Sequence, residues 1–240
     1  DMLAHYAQLK AWIPFYLETI KDGAPDSTYY RTKRSAQFPH HVAQNLYMRK
    51  DYPDTIYDII NKSDLLKEKK YKYSDLGYYY MKKLIELETK QKLDEYTAAN
   101  FYTPLGLQTM GFHPRKRIEM NRIVPTEYDM SFRKQLIQGD VHDPGAAMLG
   151  GVGGHAGLFS NASDLAIMMQ LFLNKGTYGG KRYISEKTIA EFIKCQFCKS
   201  GNRRGIGFDK PEPNGKGGPT CDCVSYLSFG HTGFTGTMAW

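Results

Sequence analysis

The segment that follows Ser74 constrains the fold most, because it carries the clearest helical pattern in the chain. Its apolar side chains recur every three or four residues, which places them on one face of an α-helix. Ser74 and Asp75 stand directly before the pattern and are residue types that cap helix N-termini. We therefore predict an amphipathic helix that packs one stripe against a core. The stripe comprises Leu76, Tyr79, Tyr80, Leu84 and Leu87.

Most other periodic segments also predict helices. A Gly-, Pro- and Asn-rich stretch over 201–219 predicts a loop, and the segment 235–240 has the character of a strand. We expect strands mainly near the end of the chain, and one partial domain over 1–240. That domain would be mostly helical over about 1–200, with a loop and a sheet strand over about 201–240. The further predicted helices cover residues 38–48, 52–61, 93–102, 164–174 and 186–194, the last two capped by Ser163 and Ser185.

Charge and hydropathy exclude some classes of partner. The 240 residues carry a net charge of +7, but the basic residues are scattered among acidic ones, and the run at 67–72 reads as a solvated loop. No nucleic-acid-binding motif accompanies them, so we expect no nucleic acid partner. No apolar run has the length of a membrane span. The chain starts at Asp1 and stops at Trp240 within strand-like sequence, which indicates a piece of a longer protein.

Four cysteines lie late in the chain, at Cys195, Cys198, Cys221 and Cys223. Their Cys-x-x-Cys and Cys-x-Cys spacings permit a zinc site, although the second spacing is tight for one. Disulfide bonds in an oxidising compartment and unpaired thiols are the alternatives. We expect no metal and no cofactor.

Two short motifs carry the candidate chemistry. Tyr73 lies just before the predicted helix, where its hydroxyl could relay protons if a nearby cation lowered its pKa, and Asp75 could point the same way. In the segment 230–236, small residues would let a substrate approach the backbone, and His231 or Thr232 could bind a carboxylate or move a proton. The alternatives are a Tyr73 that packs at the edge of the core and an ordinary turn at Gly233.

Other patterns are weaker. Ser131-Phe132-Arg133-Lys134 is the only Ser-x-x-Lys in the chain, but it follows Tyr73 and has no apolar helix that would bury Lys134. A lysine must be desolvated or crowded by cations to act as a base near neutral pH. The glycine-rich stretch 150–160 fits a dinucleotide-binding pattern loosely, without a preceding strand, so we expect no nucleotide there.

Five segments, in this order, resemble motifs of the serine β-lactamase and penicillin-binding-protein family, above all class C β-lactamases and related esterases. The wording around Val141-His142-Asp143 and Gly154-His155-Ala156-Gly157 is most similar to β-lactamase-like domains fused to bacterial family 3 β-N-acetylglucosaminidases. The five segments are Met2-Leu3-Ala4-His5, Tyr73-Ser74-Asp75-Leu76-Gly77-Tyr78, the Pro104-Leu105-Gly106 region, the segment from Gly157-Leu158-Phe159-Ser160 to Leu165-Ala166, and Gly230-His231-Thr232-Gly233.

The resemblance implies a fold and a set of roles. The fold would be α+β, a mostly helical subdomain with part of an antiparallel sheet, truncated at both ends. Tyr73 would be the general acid/base, and Asp75 would replace an asparagine that contacts substrate. His231 would replace a lysine beside Thr232 and Gly233, and the Phe234 N–H would be an oxyanion donor. Both replacements are esterase- or peptidase-like.

The family's nucleophile motif, Ser-x-x-Lys, is absent upstream of Tyr73. The resemblance therefore implies a periplasmic or secreted serine hydrolase that acts on an ester, an amide or a cell-wall peptide, with this chain inactive by itself. A non-catalytic domain that binds peptidoglycan or glycan, attached to a glycosidase, is the alternative.

Overall fold

The computed structural model describes residues 1–213 and 218–240, and it combines short helices with small antiparallel sheets. Short 3₁₀ turns and one π-helical turn, Ala98–Tyr102, connect these elements. The longest helix is α2, the one that the stripe after Ser74 predicts. The helices are α1 (Tyr52–Lys62), α2 (Leu76–Thr89), α3 (Leu93–Thr97), α4 (Pro144–Met148), α5 (Ala162–Leu173) and α6 (Glu186–Ile193).

The strands form separate antiparallel pairs and one three-stranded sheet, in which β5 lies between β3 and β4. The pairs are β1 with β2, β6 with β7, β8 with β9, and β10 with β11. The strands are β1 (Ile20–Lys21), β2 (Ala24–Pro25), β3 (Tyr30–Arg31), β4 (His40–Ala43), β5 (Leu46–Met48), β6 (Glu127–Asp129), β7 (Gln135–Ile137), β8 (Thr177–Tyr178), β9 (Lys181–Arg182), β10 (His231–Thr232) and β11 (Met238–Ala239).

One hydrophobic cluster carries α2. It joins α1, the sheet of β3 to β5 and the buried α4, and it includes the fully buried Met48, Ile56, Leu76 and Phe132. Burial of such side chains stabilises the fold by roughly 1.5–3 kcal/mol each. Because Leu76 is the first residue of α2, this burial also fixes where the residues just before the helix lie.

A second cluster packs α5 against the segment that follows α3. Its buried members are Leu105, Leu107, Met110 and Leu171. Asp164, in the first turn of α5, accepts hydrogen bonds from the backbone N–H groups of Thr109 and Met110 at 2.6 and 3.0 Å. These hydrogen bonds tie the two segments together. The position of Asp164 in the first turn of α5 is also favourable electrostatically, because a helix N-terminus attracts negative charge.

The helices predicted around residues 52, 76, 93, 164 and 186 are confirmed, and so is the α+β class. The side chain of Asn161, rather than that of Ser163, caps α5. The helix predicted over 38–48 is wrong, because this segment forms the β4–β5 hairpin. Asn45 adopts a positive φ of 54° at the turn, and Leu46 and Met48 are buried on either side of the half-buried Tyr47. That alternation is the period of a strand.

The expectation that strands lie mainly near the end is also wrong, since β1 to β9 all precede residue 183. The division at about residue 200 stays a prediction. Among the helices in residues 1–213 and 218–240, none combines the length and apolarity that crossing a membrane requires.

Candidate functional site

The tyrosine motif is held in place through the buried Ser74. The Ser74 hydroxyl donates to the Lys10 carbonyl at 2.7 Å and accepts from the Leu76 N–H at 3.2 Å. The next residue, Asp75, donates its N–H to the Ala11 carbonyl at 3.0 Å. These bonds join the start of α2 to residues far away in sequence, so the motif is fixed by tertiary structure.

His5 lies under the same motif. Its Nδ1 accepts the Ser74 N–H at 3.1 Å, and its ring packs against Tyr73 with 4.3 Å between centroids. Burial, with the nearby positive charge of Arg204, lowers the pKa of His5 to about 4. His5 is therefore neutral at pH 7, and its packing against the Tyr73 ring restricts the orientation of that ring.

The second motif lies on a short hairpin. In β10 and β11, His231 pairs with Ala239 and Thr232 with Met238, and the Gly233 N–H donates to the Thr237 carbonyl at 2.7 Å. The side chain of Phe234, at the turn, is 95% exposed. Its N–H makes no hydrogen bond within residues 1–213 and 218–240. A free backbone N–H there fits the predicted oxyanion donor, a role that stays a prediction.

The structure brings the two motifs together. The ring centroids of Tyr73 and His231 lie 6.1 Å apart, although 158 positions separate them in sequence. The two rings are therefore neighbours in the fold. That they form one catalytic site stays a prediction.

Arg204 joins the two motifs, and sequence reasoning missed it. Its guanidinium carbon lies 5.2 Å from the Tyr73 ring centroid, and its Nη1 donates to Nε2 of His231 at 2.8 Å. Its Nη2 donates to the buried Asp209 at 3.1 Å, and its side chain is 7% exposed. The signal in the sequence was an arginine pair, Arg203-Arg204, with an aspartate five residues on, which is too common to single out within a predicted loop.

The contacts of His231 define its tautomer. Because Arg204 can only donate, Nε2 of His231 must accept, and Nδ1 carries the proton that it donates to the Thr232 carbonyl at 2.6 Å. Burial and the charge of Arg204 lower the pKa of His231. His231 is thus a neutral imidazole with both nitrogens occupied, and it is not a free base in this arrangement.

The expected lowering of the Tyr73 pKa is not found. Burial and the neighbouring Asp75 carboxylate raise the pKa of Tyr73, and the charge of Arg204 only partly offsets them. The tyrosine therefore rests in its protonated form. The expected cation is present, since Arg204 lies over the ring. Its lowering of the Tyr73 pKa is smaller than the raising by burial and by Asp75.

A second carboxylate lies beside Asp75. Asp75 and Asp143 both line a cavity of about 20 Å³, which is large enough for one water molecule. Burial raises the pKa of Asp75; the nearby His155 opposes this, and the charge of Asp143 adds to it. Asp143 also accepts the Ala146 N–H at 2.7 Å, which caps α4, and contacts Nε2 of His155 at 2.9 Å.

His155 completes this wall of the site. Its side chain is 3% exposed and stacks on Tyr79 with 4.3 Å between ring centroids. The Tyr79 hydroxyl lies so close to Gly145 that a Cβ at that glycine would collide with it. In the glycine-rich stretch 150–160, a Cβ at Gly154 would likewise collide with the Tyr78 carbonyl, so this stretch packs against α2.

His142 connects this wall to the hairpin. Its ring stacks on Phe234 with 5.4 Å between centroids, and its Nε2 lies 2.9 Å from a Glu127 carboxylate oxygen. The residues after β7 therefore border both motifs.

The remaining sequence candidates lie outside this set of contacts. Ser131 and Lys134 are both exposed, and Lys134 donates to the Met130 carbonyl one turn earlier. Lys134 is therefore not a desolvated base. A disulfide joins Cys195 to Cys198, which removes both as zinc ligands, while Cys221 and Cys223 are exposed thiols with sulfurs 3.0 Å apart.

A comparison with known protein families matches most of the chain. The profile of the family described as Beta-lactamase matches residues 23–240. A curated relative from Salmonella enteritidis PT4, named "Putative D-alanyl-D-alanine carboxypeptidase", is 34% identical over 218 residues. That match covers 84% of this chain and 49% of the relative. The chain spans about half the length of the curated relatives it matches.

Two solved structures share the fold at low sequence identity. A penicillin binding protein from Bacillus halodurans has a TM-score of 0.52 at 12% identity, over 86% of this chain and 55% of that one. A D-stereospecific amidohydrolase from Streptomyces sp. has a TM-score of 0.53 at 14% identity, over 87% of this chain and 56% of that one. At such identities the likeness concerns the fold alone.

Proposed function

Because the chain belongs to the beta-lactamase family, we propose that it supplies the tyrosine and histidine motifs of a serine hydrolase site that cleaves an amide or peptide bond. The contact that carries this proposal is the one between Tyr73 and His231, 6.1 Å apart, with Arg204 touching both. If Tyr73 only packed against the core and His231 only formed part of a turn, there would be no reason for both to contact the same buried arginine.

In this proposal Tyr73 is the residue that moves protons. It rests protonated, so it would donate its proton to the leaving amine as the amide C–N bond breaks. The base of a Ser-x-x-Lys motif, which Ser131 to Lys134 do not supply, would take the proton of the attacking hydroxyl. The charge of Arg204 would stabilise the phenolate that results. Arg204 would act as a positioning residue, because it is buried and also holds His231 neutral. The Phe234 N–H would donate to the oxyanion.

The proposed substrate is a peptide or amide with a D-amino acid next to the cleaved bond. The name of the curated relative supports this, as does the position of His231 and Thr232 on a hairpin whose turn residue, Phe234, is exposed. Asp75 would contact the substrate from the other side, where it is partly buried beside Asp143. An esterase of the same family is the alternative within the class.

We further propose that this chain binds such a substrate without turning it over. Its only Ser-x-x-Lys, Ser131 to Lys134, is exposed and has the wrong surroundings for a nucleophile and its base. The Cys195–Cys198 disulfide supports a periplasmic or secreted protein, since such bonds persist in oxidising compartments. Fusion to a glycosidase stays a prediction.

The test is to titrate the chain with a peptide ending in D-Ala-D-Ala, with the L-Ala-L-Ala peptide as control, while hydrolysis of both and of nitrocefin is followed. We expect ring resonances of Tyr73 and His231 to shift with the D-peptide only, without hydrolysis. Tyr73→Phe should keep binding within a few-fold. Steady hydrolysis that Ser131→Ala abolishes would show that Ser131 is a nucleophile and would overturn the proposal that the chain binds without turnover. Binding of glycan in place of peptide would favour a non-catalytic binding domain.

A further inference from the structure

A second cavity, of about 730 Å³, shares no lining residue with the Tyr73–His231 site. Its wall is built from the β4–β5 hairpin, the first turns of α1, the middle of α2, and the loops around His113, Asp140 and Gly150. Pockets that bind small organic ligands have volumes of about 300–1,000 Å³. We call it the basic cavity.

The basic cavity is lined by more cationic side chains than carboxylates. Six cationic side chains line it, against four carboxylates. The cations are Arg34, Lys82, Lys83, Lys92, Arg115 and Lys116. The carboxylates are Asp54, Glu86, Asp94 and Asp140.

The carboxylates neutralise only some of these cations. Asp140 binds Arg115 at 2.6 Å and His41 at 2.8 Å. Glu86 lies 4.0 Å from Lys92. Asp94 lies 3.9 Å from Nε2 of His113, a ring that is neutral at pH 7.

In residues 1–213 and 218–240, four of these cations therefore have no carboxylate partner. Within the described part of the chain, no carboxylate oxygen lies within 4.0 Å of the charged nitrogens of Arg34, Lys82, Lys83 or Lys116. Lys82 is half-buried, and burial lowers its pKa. The charges of Glu86 and Asp94 offset this in part without forming an ion pair with Lys82, so an anion that bonded its ammonium directly would stabilise it further.

The pKa values of two histidines in the cavity, His40 and His113, respond to the same positive charges. The His40 Nε2 donates to the Lys50 carbonyl at 3.1 Å, and burial with the charges of Lys82 and Lys92 lowers the His40 pKa. Burial and the charge of Lys116 likewise lower the pKa of His113. Both rings thus line the cavity as neutral groups. The one N–H of His40 is already used, so this ring can stack on a ligand, while His113 can donate to one.

We propose that the basic cavity binds a small molecule that carries a phosphate group. The doubly charged phosphate would lie between Lys82 and Lys116, because a dianion compensates two separate unpaired cations at once. The remainder of the ligand would contact the less polar wall at Tyr47, Tyr57 and Leu149. Lys83, which lies 4.6 Å over the Tyr57 ring, would close that side.

The test uses glucose 6-phosphate as the probe, with glucose and succinate as matched controls, in calorimetric titrations of the whole chain at low ionic strength. We expect saturable binding of one equivalent of glucose 6-phosphate and none of glucose. Lys82→Gln and Lys116→Gln should each weaken binding about tenfold, the loss of one charge-assisted contact. Lys187→Gln, on an exposed turn of α6, should leave binding unchanged.

A second readout locates the ligand. The ring proton resonances of His40 and His113 should shift as glucose 6-phosphate is added, while those of His231 should not. Absence of saturable binding would overturn the proposal. So would equal weakening by Lys187→Gln, which would indicate non-specific attraction to a basic protein, or equal binding of succinate, which would remove the assignment to phosphate. Because Lys116 is exposed, its variant tests the site even if Lys82→Gln fails to fold.

Discussion

The two halves of the candidate site are held in very different ways. Ser74, in the tyrosine motif, is 4% exposed and is bonded to residues 5 and 10. The His231 hairpin pairs through only two residues in each strand, and its Phe234 and Met238 side chains are 95% and 65% exposed. The Tyr73 side of the site is thus firmly fixed by the core, and the His231 side is held by few contacts.

The difference shows which contact the geometry depends on. Tyr73 keeps its place because the core holds α2, whatever the hairpin does. His231 keeps its place through Arg204, whose own position is set by Asp209 and by Asn202, which also donates to the Ala4 carbonyl at 2.8 Å. Substitutions that disturb the Tyr73 side should therefore lower the free energy of unfolding. Substitution of Arg204 should lower it too, and should also change the position of His231.

The largest effect is expected for Arg204→Leu. Removing a buried cation that bonds to both Asp209 and His231 should lower the free energy of unfolding by about 3 kcal/mol. Nε2 of His231 would also lose its donor, so its ring resonances should change. Urea denaturation and ¹⁵N spectra of the histidines would measure both effects.

Arg203→Leu is the matched control. Arg203 binds the same Asp209 through two hydrogen bonds, at 2.8 and 2.9 Å, but shows no contact to His231 or Tyr73 in residues 1–213 and 218–240. It should lower stability by about 2 kcal/mol and leave the His231 spectrum unchanged. If both variants changed His231 equally, Arg204 would have no special role in the site.

The next effect is a pH dependence that comes from His5. Its pKa is about 4 when folded, against an ordinary 6.5, so the unfolded chain binds more protons between these values. Stability should therefore fall as pH falls, by about 2 kcal/mol between pH 7 and 4.5. His5→Asn keeps an acceptor for the Ser74 N–H and tolerates the positive φ of 54° at this position. An undiminished slope in that variant would show that other groups cause it.

The smallest effects compare single hydroxyls on the two sides of the site. Ser74→Ala leaves the Lys10 carbonyl and the Leu76 N–H without their partner, which should cost about 1 kcal/mol. Thr232→Ala removes an exposed hydroxyl and should change stability by less than about 0.5 kcal/mol. Thermal unfolding of both proteins gives the comparison, and equal losses would contradict the contrast between the two sides.

The sequence predicted what local pattern determines. The stripe from Leu76 to Leu87 predicts α2. The resemblance of both motifs to one family implies that Tyr73 and His231 belong to one site, and the contact between their rings supports this. The hairpin at residues 40–48 could not be predicted in the same way, since Asn45 forms a turn that the apolar residues around it conceal.

The electrostatics of the site needed the structure. The opposing effects of Asp75 and Arg204 on Tyr73 depend on distances between segments far apart in sequence. Arg204 itself belongs to no motif, and only the fold places it between Tyr73 and His231. The stack of His155 on Tyr79 is likewise a product of chain packing that no spacing rule indicates.

The most direct test of the central claim is a nuclear Overhauser measurement between the Tyr73 and His231 rings in the unliganded chain. With 6.1 Å between the centroids, cross-peaks between their ring protons are expected, alongside those from His231 to Ala239 across the hairpin. If the hairpin cross-peaks are present and no contact from His231 to Tyr73 is seen, the two motifs do not form one site.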